Sequence, residues 1–196
     1  MRQKPLLAVD VDGVISLFGT PAPWTAQAGA GEPIEGSLHT IDGVPHFLSR
    51  DAAGHLIALT EHFELVWASG WEEKADENLP HLLGLPSGLP HLSFERSPGK
   101  SNAHWKLEAI GRHAGARPLA WVDDALNEEC HGWARERNAQ GAPTKLVQTK
   151  PERGLTGTEA KILIAWALEL EPEPEPRPRE AQPEAEAAPP ARASRR

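Results

Sequence analysis

With 196 residues, 39% hydrophobic and 24% charged, the chain has the composition of an ordinary globular protein and the length for one full core. Its net charge of −8 excludes a generally basic nucleic-acid-binding surface, although a local basic groove stays compatible with it. The single cysteine, Cys130, excludes an internal disulfide and fits a reducing compartment, and no window approaches the roughly 18 consecutive apolar residues of a membrane helix. The apolar run behind "MRQK" breaks at Asp10, too early for a signal peptide, so a cytoplasmic protein with no membrane partner is expected.

In chain order, "LLAVDV" (6–11) is a continuous apolar run, as expected of a strand buried on both faces. Segment 16–63 breaks the rhythm that follows. Its "SLHTIDGVPHFLS" predicts a hairpin turning at Asp42-Gly43, and "RDAAGHLIALTEH" predicts a helix leading into the second strand. We read it as an insertion after strand one, too short for a large lid domain. Then come strand "ELVWAS" (64–69), a helix over 72–83, the weaker strand "HLSF" (91–94) and a helix over 102–114. Strand "PLAWVD" (118–123), a helix over 125–138, strand "KLVQT" (145–149) and a helix over 157–169 complete the series. The last helix opens with "TGTE", in which Thr156 and Glu159 have capping-box spacing. Alternating strands and helices predict one three-layer, Rossmann-like α/β domain over 1–170 with a mostly parallel five-stranded sheet. From Glu171 onward proline alternates with charge and aromatics are missing, which predicts a disordered tail over 171–196.

In open α/β sheets ligands bind beyond the carboxyl ends of the strands. Strand one ends on Asp10 and Asp12, strand two on Ser69 and Gly70, and strand four on Asp123 and Asp124, while Lys106 begins the helix running into strand four. These segments would bring carboxylates, a hydroxyl and an ammonium to one point. Clustered carboxylates repel unless a hard cation neutralises them, and Mg²⁺ favours carboxylate oxygens together with water and phosphate. A carboxylate can also attack phosphorus, and the charge on a transferring phosphoryl group calls for a metal, a lysine and hydrogen-bond donors.

"DVDGV", "ASGW", a lysine at a helix start and "WVDDA", in that order, resemble the four motifs of the haloacid dehalogenase-like (HAD) phosphohydrolase superfamily. The resemblance covers residues 5 to about 170 and implies a Mg²⁺-dependent phosphatase. It implies Asp10 as nucleophile and metal ligand. Asp12 would protonate the leaving oxygen, then activate water, and contact the metal through its backbone carbonyl. Ser69 and Lys106 would bind the phosphoryl oxygens, and Asp123 would complete the metal site, with Asp124 as a second or water-mediated ligand. Lys106 is favoured over its rival Lys100 because Ala109 and Ile110 give its helix an apolar side to pack. "ASGWEEKADENLPHLLGLP", "HWKLEAIG" and "RPLAWVDDAL" further resemble the lidless domain of Swiss Army Knife RNA-repair proteins. That implies phosphorylated RNA or DNA ends, or another bulky phosphorylated substrate, and an open site that admits them.

Simpler readings stand beside these. Asp124 could cap the next helix, Ser69 could start one, and Trp71 could either line the site or staple the helix. Trp67 and Trp121 lie inside apolar strands and read as core. The nine histidines lack the short spacing of a zinc site, and Cys130 has only His131 beside it, so neither supports other chemistry. A receiver-type signalling domain would put its paired acids first and its phosphorylated aspartate later, the reverse of the order here. A catalytically silent binding module would be expected to lack Asp10 or Asp12, and both are present. No motif points to a protein partner.

Overall fold

The computed structural model describes residues 3–19, 34–94 and 102–170. Lys100 and the tail over 171–196 lie outside the described residues, as does the middle of segment 16–63. Four strands, β1 (Leu6–Val9), β5 (Glu64–Trp67), β6 (Leu119–Asp123) and β7 (Thr144–Gln148), form a parallel sheet in the order β5-β1-β6-β7. Helices separate them in sequence: α1 (Arg50–Leu59), α2 (Glu73–Leu83), α3 (Leu107–Ala114), α4 (Glu128–Ala139) and α5 (Gly157–Glu169).

The strands are apolar throughout because both faces are covered. Leu7, Val9, Leu65, Trp67, Ala120 and Val122 pack on one face with Ala52 and Leu56 of α1, Leu79 of α2 and Leu163 of α5. Leu6, Ala8, Val66, Leu119 and Trp121 pack on the other with Ile110 of α3 and Cys130 of α4. The split follows the two-residue period of a strand, so each strand supplies both cores at once. Trp67 and Trp121 are fully buried, as expected. Helix α1, at the end of segment 16–63, is the crossover that lets β1 and β5 run parallel.

One sequence expectation is corrected. Residues 91–94 do not form a fifth strand; the segment meets the sheet in a single bridge, His91 against Trp67. The Trp67 amide donates to the Pro90 carbonyl at 2.8 Å and the Leu92 amide to the Trp67 carbonyl at 2.9 Å. Trp67 is the last residue of β5, so the pairing begins where the partner strand ends and cannot propagate.

A second sheet, antiparallel, is ordered β2-β4-β3, with β2 (Ser16–Leu17), β3 (Gly36–Ile41) and β4 (Val44–Ser49). The β3–β4 hairpin turns at Asp42 and Gly43, whose φ angles of 51° and 79° are those of a two-residue turn favoured by "DG". The Thr156–Glu159 capping box is present at the start of α5. Helix α4 begins at Glu128 rather than 125, because the Asn127 side chain supplies the cap by accepting from the Cys130 amide at 3.2 Å. No helix of the described residues is long and apolar enough to cross a membrane.

Candidate active site

The parallel register assembles the site. Val9 is level with Trp67 on one side and Val122 on the other. The residues just past those positions, Asp10, Ser69 and Asp123, therefore meet at one edge of the sheet. The chain runs from β1 out to β5 and later returns past β1 to β6, so Asp10 sits where the strand order reverses, the usual location of a ligand crevice.

Asp10 is 7% exposed. Its Oδ1 accepts from the Val11 amide at 2.8 Å, and its Oδ2 pairs with Lys106 Nζ at 2.8 Å. The same ammonium donates to Asp123 Oδ2 at 2.7 Å, and Asp123 Oδ1 accepts from the Ala125 amide at 2.9 Å. Lys106 ends a short 3₁₀ turn (His104–Lys106) that leads into α3, and Ile110, one turn further on, anchors that helix in the core. The anchored turn directs the lysine inward, where it is 3% exposed, while Asp123 is wholly buried.

Electrostatics show the cluster to be short of positive charge. Burial alone would lower the Lys106 pKa, but Asp10 and Asp123 outweigh it and hold the ammonium above its ordinary value. Asp123 is raised by burial and by the charge of Asp10, against the pull of Lys106. Asp124 is pushed up to about 6, again by burial first and Asp10 second. One ammonium thus faces three carboxylates.

Asp10, Asp123 and Asp124 can each offer an oxygen, all within 4.8 Å of one another, and no other such group of acids, histidines and cysteines occurs among the described residues. An all-carboxylate, charge-deficient set fits a hard divalent cation. The Asp12 carboxylate is not among the three. It points to Trp71, whose Nε1 donates to Asp12 Oδ2 at 2.9 Å. Asp12, although half-exposed, is raised chiefly by the part of its carboxyl withdrawn from water and also by Asp10, with the Trp71 hydrogen bond opposing.

Gly13 explains the glycine of "DVDG". Its φ is +70°, and a Cβ built there would lie 2.4 Å from Asp124 Cγ. The glycine both allows the turn and lets Asp124 approach, and the Thr149 hydroxyl donates to the Gly13 carbonyl at 2.8 Å. Gly13→Ala is expected to cost about 1–2 kcal/mol for the left-handed backbone alone, and more for the displaced Asp124. Urea unfolding measures the loss.

Ser69 is buried, and its Oγ accepts from the Trp71 amide at a long 3.4 Å. It does not cap a helix: α2 begins at Glu73, after Glu72 at φ 48°. That strained residue is held by its Oε1, which accepts from the Phe94 amide at 2.8 Å. Nor does Asp124 cap α4, since Asn127 does. A cavity of about 360 Å³ is lined by Asp10, Asp12, Ser69, Lys106, Asp123 and Asp124, so all six sequence-predicted residues border one space.

Phe18, Asn102 and Trp105 also line it, and none of them carried a sequence signal. Asn102 Oδ1 is buried with no hydrogen-bond partner among the described residues. His46 was equally unmarked. It arrives on β4 and places its ring edge-on to Trp71, with centroids 4.7 Å apart. Cys130 is buried, which pushes its thiol pKa up and removes it as a nucleophile.

No protein-family model matches the chain, and no curated protein sequence does. Among solved structures, the chain is similar to the HAD domain of effector protein Lem4 from Legionella pneumophila, with a TM-score of 0.53 and 15% identity over 84% of this chain and 95% of that one. An inactive mutant of the same domain matches with a TM-score of 0.51 and 13% identity, over 86% and 98% of the two chains. At such identity the likeness speaks for the fold alone: the chain shares its α/β architecture with these HAD domains.

Proposed function

We propose that this chain is a phosphohydrolase that works through an aspartyl phosphate on Asp10. The observation that carries the reading is the buried arrangement of Asp10, Lys106 and Asp123, with Asp124 beside them, opening onto a cavity. Buried acids so placed are costly unless they have chemical work to do.

In this reading the Val11 amide and Lys106 fix the Asp10 carboxylate for attack on phosphorus. Lys106 and the Ser69 hydroxyl stabilise charge on the equatorial phosphoryl oxygens. Asp12, half-exposed at the cavity and with a raised pKa, donates a proton to the departing oxygen and then takes one from water. Asp10, Asp123 and Asp124, with the Asp12 carbonyl, would hold a divalent cation, Mg²⁺ by the hardness of the donors; when bound, it would neutralise phosphate charge.

Substrates would be phosphate monoesters of a bulky group, with nucleic-acid ends the favoured class. Phe18 is 48% exposed at the cavity and offers a stacking face with Trp105, while Asn102 Oδ1, without a partner among the described residues, would accept from a base N–H. The net charge of −8 favours a phosphorylated terminus over a long polyanionic tract.

Cation binding has its own readout. The raised Asp124 and Asp123 bind protons in the folded state that the unfolded chain releases at ordinary carboxyl values. Metal-free stability therefore falls as pH rises from about 4 through about 6. A cation competes for those oxygens only once they are deprotonated. Millimolar Mg²⁺ is thus expected to raise the Tm at pH 7.5 and to have little effect at pH 5. Turnover of an aryl phosphate in the same buffers should follow the same dependence. An equal Tm shift at both pH values, or turnover indifferent to chelator, would contradict the metal assignment.

A further inference from the structure

Three of the acids at the cavity are held by short-range contacts or by burial, whereas Asp12 is 49% exposed on its side chain. An aspartate so exposed samples several rotamers unless something pins it. The stronger hold here is Trp71, whose indole N–H meets Asp12 Oδ2 at 2.9 Å, with a weaker one from the Ser16 side chain.

Trp71 is itself fixed on three sides. It packs against the first hydrophobic core, its amide donates to Ser69 Oγ, and the His46 ring lies edge-on to it at an interplanar angle of 68°. His46 is held in turn by the Ser16 hydroxyl, 2.9 Å from Nδ1. Ser16 pairs with Leu48 in the antiparallel sheet. The insertion after β1 therefore reaches the site through His46 and braces the indole.

Resting on the phosphatase reading above, we infer that Trp71 is a positioning residue for proton delivery: it engages Asp12 Oδ2 and leaves Oδ1 to serve the leaving group. The oxygen that accepts the indole N–H is the one less suited to carry a proton, and Oδ1 faces His46 Nδ1 at 3.9 Å. In the first step the bond from the Asp10 oxygen to phosphorus forms as the bond from phosphorus to the leaving oxygen breaks. The leaving oxygen takes the proton from Asp12 Oδ1 and departs as an alcohol. In the second step water attacks phosphorus, its proton returns to Asp12, and the Asp10–phosphorus bond breaks to release inorganic phosphate.

The role predicts a dependence on the leaving group. An alkyl phosphate needs its departing oxygen protonated; 2,4-dinitrophenyl phosphate does not. The experiment compares kcat/KM of the full chain and of Trp71→Phe on the two esters, since kcat/KM reports the steps up to leaving-group departure. General-acid catalysis contributes about 10²–10⁴-fold, so Trp71→Phe is expected to lose about 10-fold or more on the alkyl ester relative to the dinitrophenyl ester. In an Asp12→Asn background, adding Trp71→Phe should produce no such difference. Equal losses on the two esters would overturn the inference and leave Trp71 a packing residue. Failure of the wild-type chain to hydrolyse either ester would overturn the phosphatase reading, and the inference with it.

Discussion

Replacing Asp10 with asparagine is expected to lower hydrolysis of an aryl phosphate by about 10³-fold or more, the scale on which removal of a covalent nucleophile acts. A carboxamide oxygen is a poor nucleophile, and no neighbouring carboxylate takes its place: Asp123 is wholly buried and tied to Lys106 and the Ala125 amide. The substitution should not cost stability in proportion. It removes one negative charge from a set of three carboxylates served by one ammonium, and the charge of Asp10 helps to raise Asp123 and Asp124. Both should move back towards the ordinary range, and the metal-free Asp10→Asn protein should unfold at a Tm equal to or above that of the wild type. Activity lost with stability retained separates a chemical role from a structural one.

Lys106→Met should fail in the opposite way. The lysine is buried between two buried carboxylates, and breaking such a pair by removing one partner costs about 3–5 kcal/mol because the remaining charges lose their compensation. Methionine fills much of the same volume, so the loss reflects charge rather than a cavity. Without the ammonium, Asp123 would be raised further. The destabilisation should then be smaller at pH 5, where a proton can neutralise it, than at pH 8. Urea unfolding of Lys106→Met at both pH values reads this directly, and adding Asp123→Asn should restore part of the stability at pH 8. Activity should stay lost in the double variant, since the phosphoryl oxygens would still lack the ammonium.

How far the sequence could be read follows from which interactions are local. The parallel strands were legible because their both-sided burial makes them apolar from end to end, and β1 and β6 carry their acids within three residues of the end of that run. The α5 start was legible because a capping box is closed within four residues, Thr156 to Glu159. Residues 91–94 misled because four residues of strand character say nothing about whether a partner remains to pair with. Lys106 could be preferred to Lys100 only through the apolar side of its helix, and Ile110 does anchor that helix.

Other parts of the site were out of reach for the same reason. The Trp71–Asp12 hydrogen bond spans 59 positions, and His46 reaches its hydroxyl partner Ser16 across 30. Nothing in a histidine's flanking sequence reveals that a hairpin will carry it to a carboxylate on another sheet. Gly13 lay in plain view within the first motif, yet its reason, the approach of Asp124 from the end of β6, exists only in three dimensions.

The central claim is the covalent bond to Asp10, and the most direct test traps it. An Asp12→Asn protein lacks the base for the second step, so with an aryl phosphate and Mg²⁺ it should accumulate the intermediate. Acid quenching, proteolysis and mass spectrometry are expected to find one phosphoryl group on the peptide that contains Asp10, and none when Asp10 is also replaced by asparagine. Turnover by the wild type with no phosphoryl group trapped on Asp10, or with the group on another residue, would contradict the account.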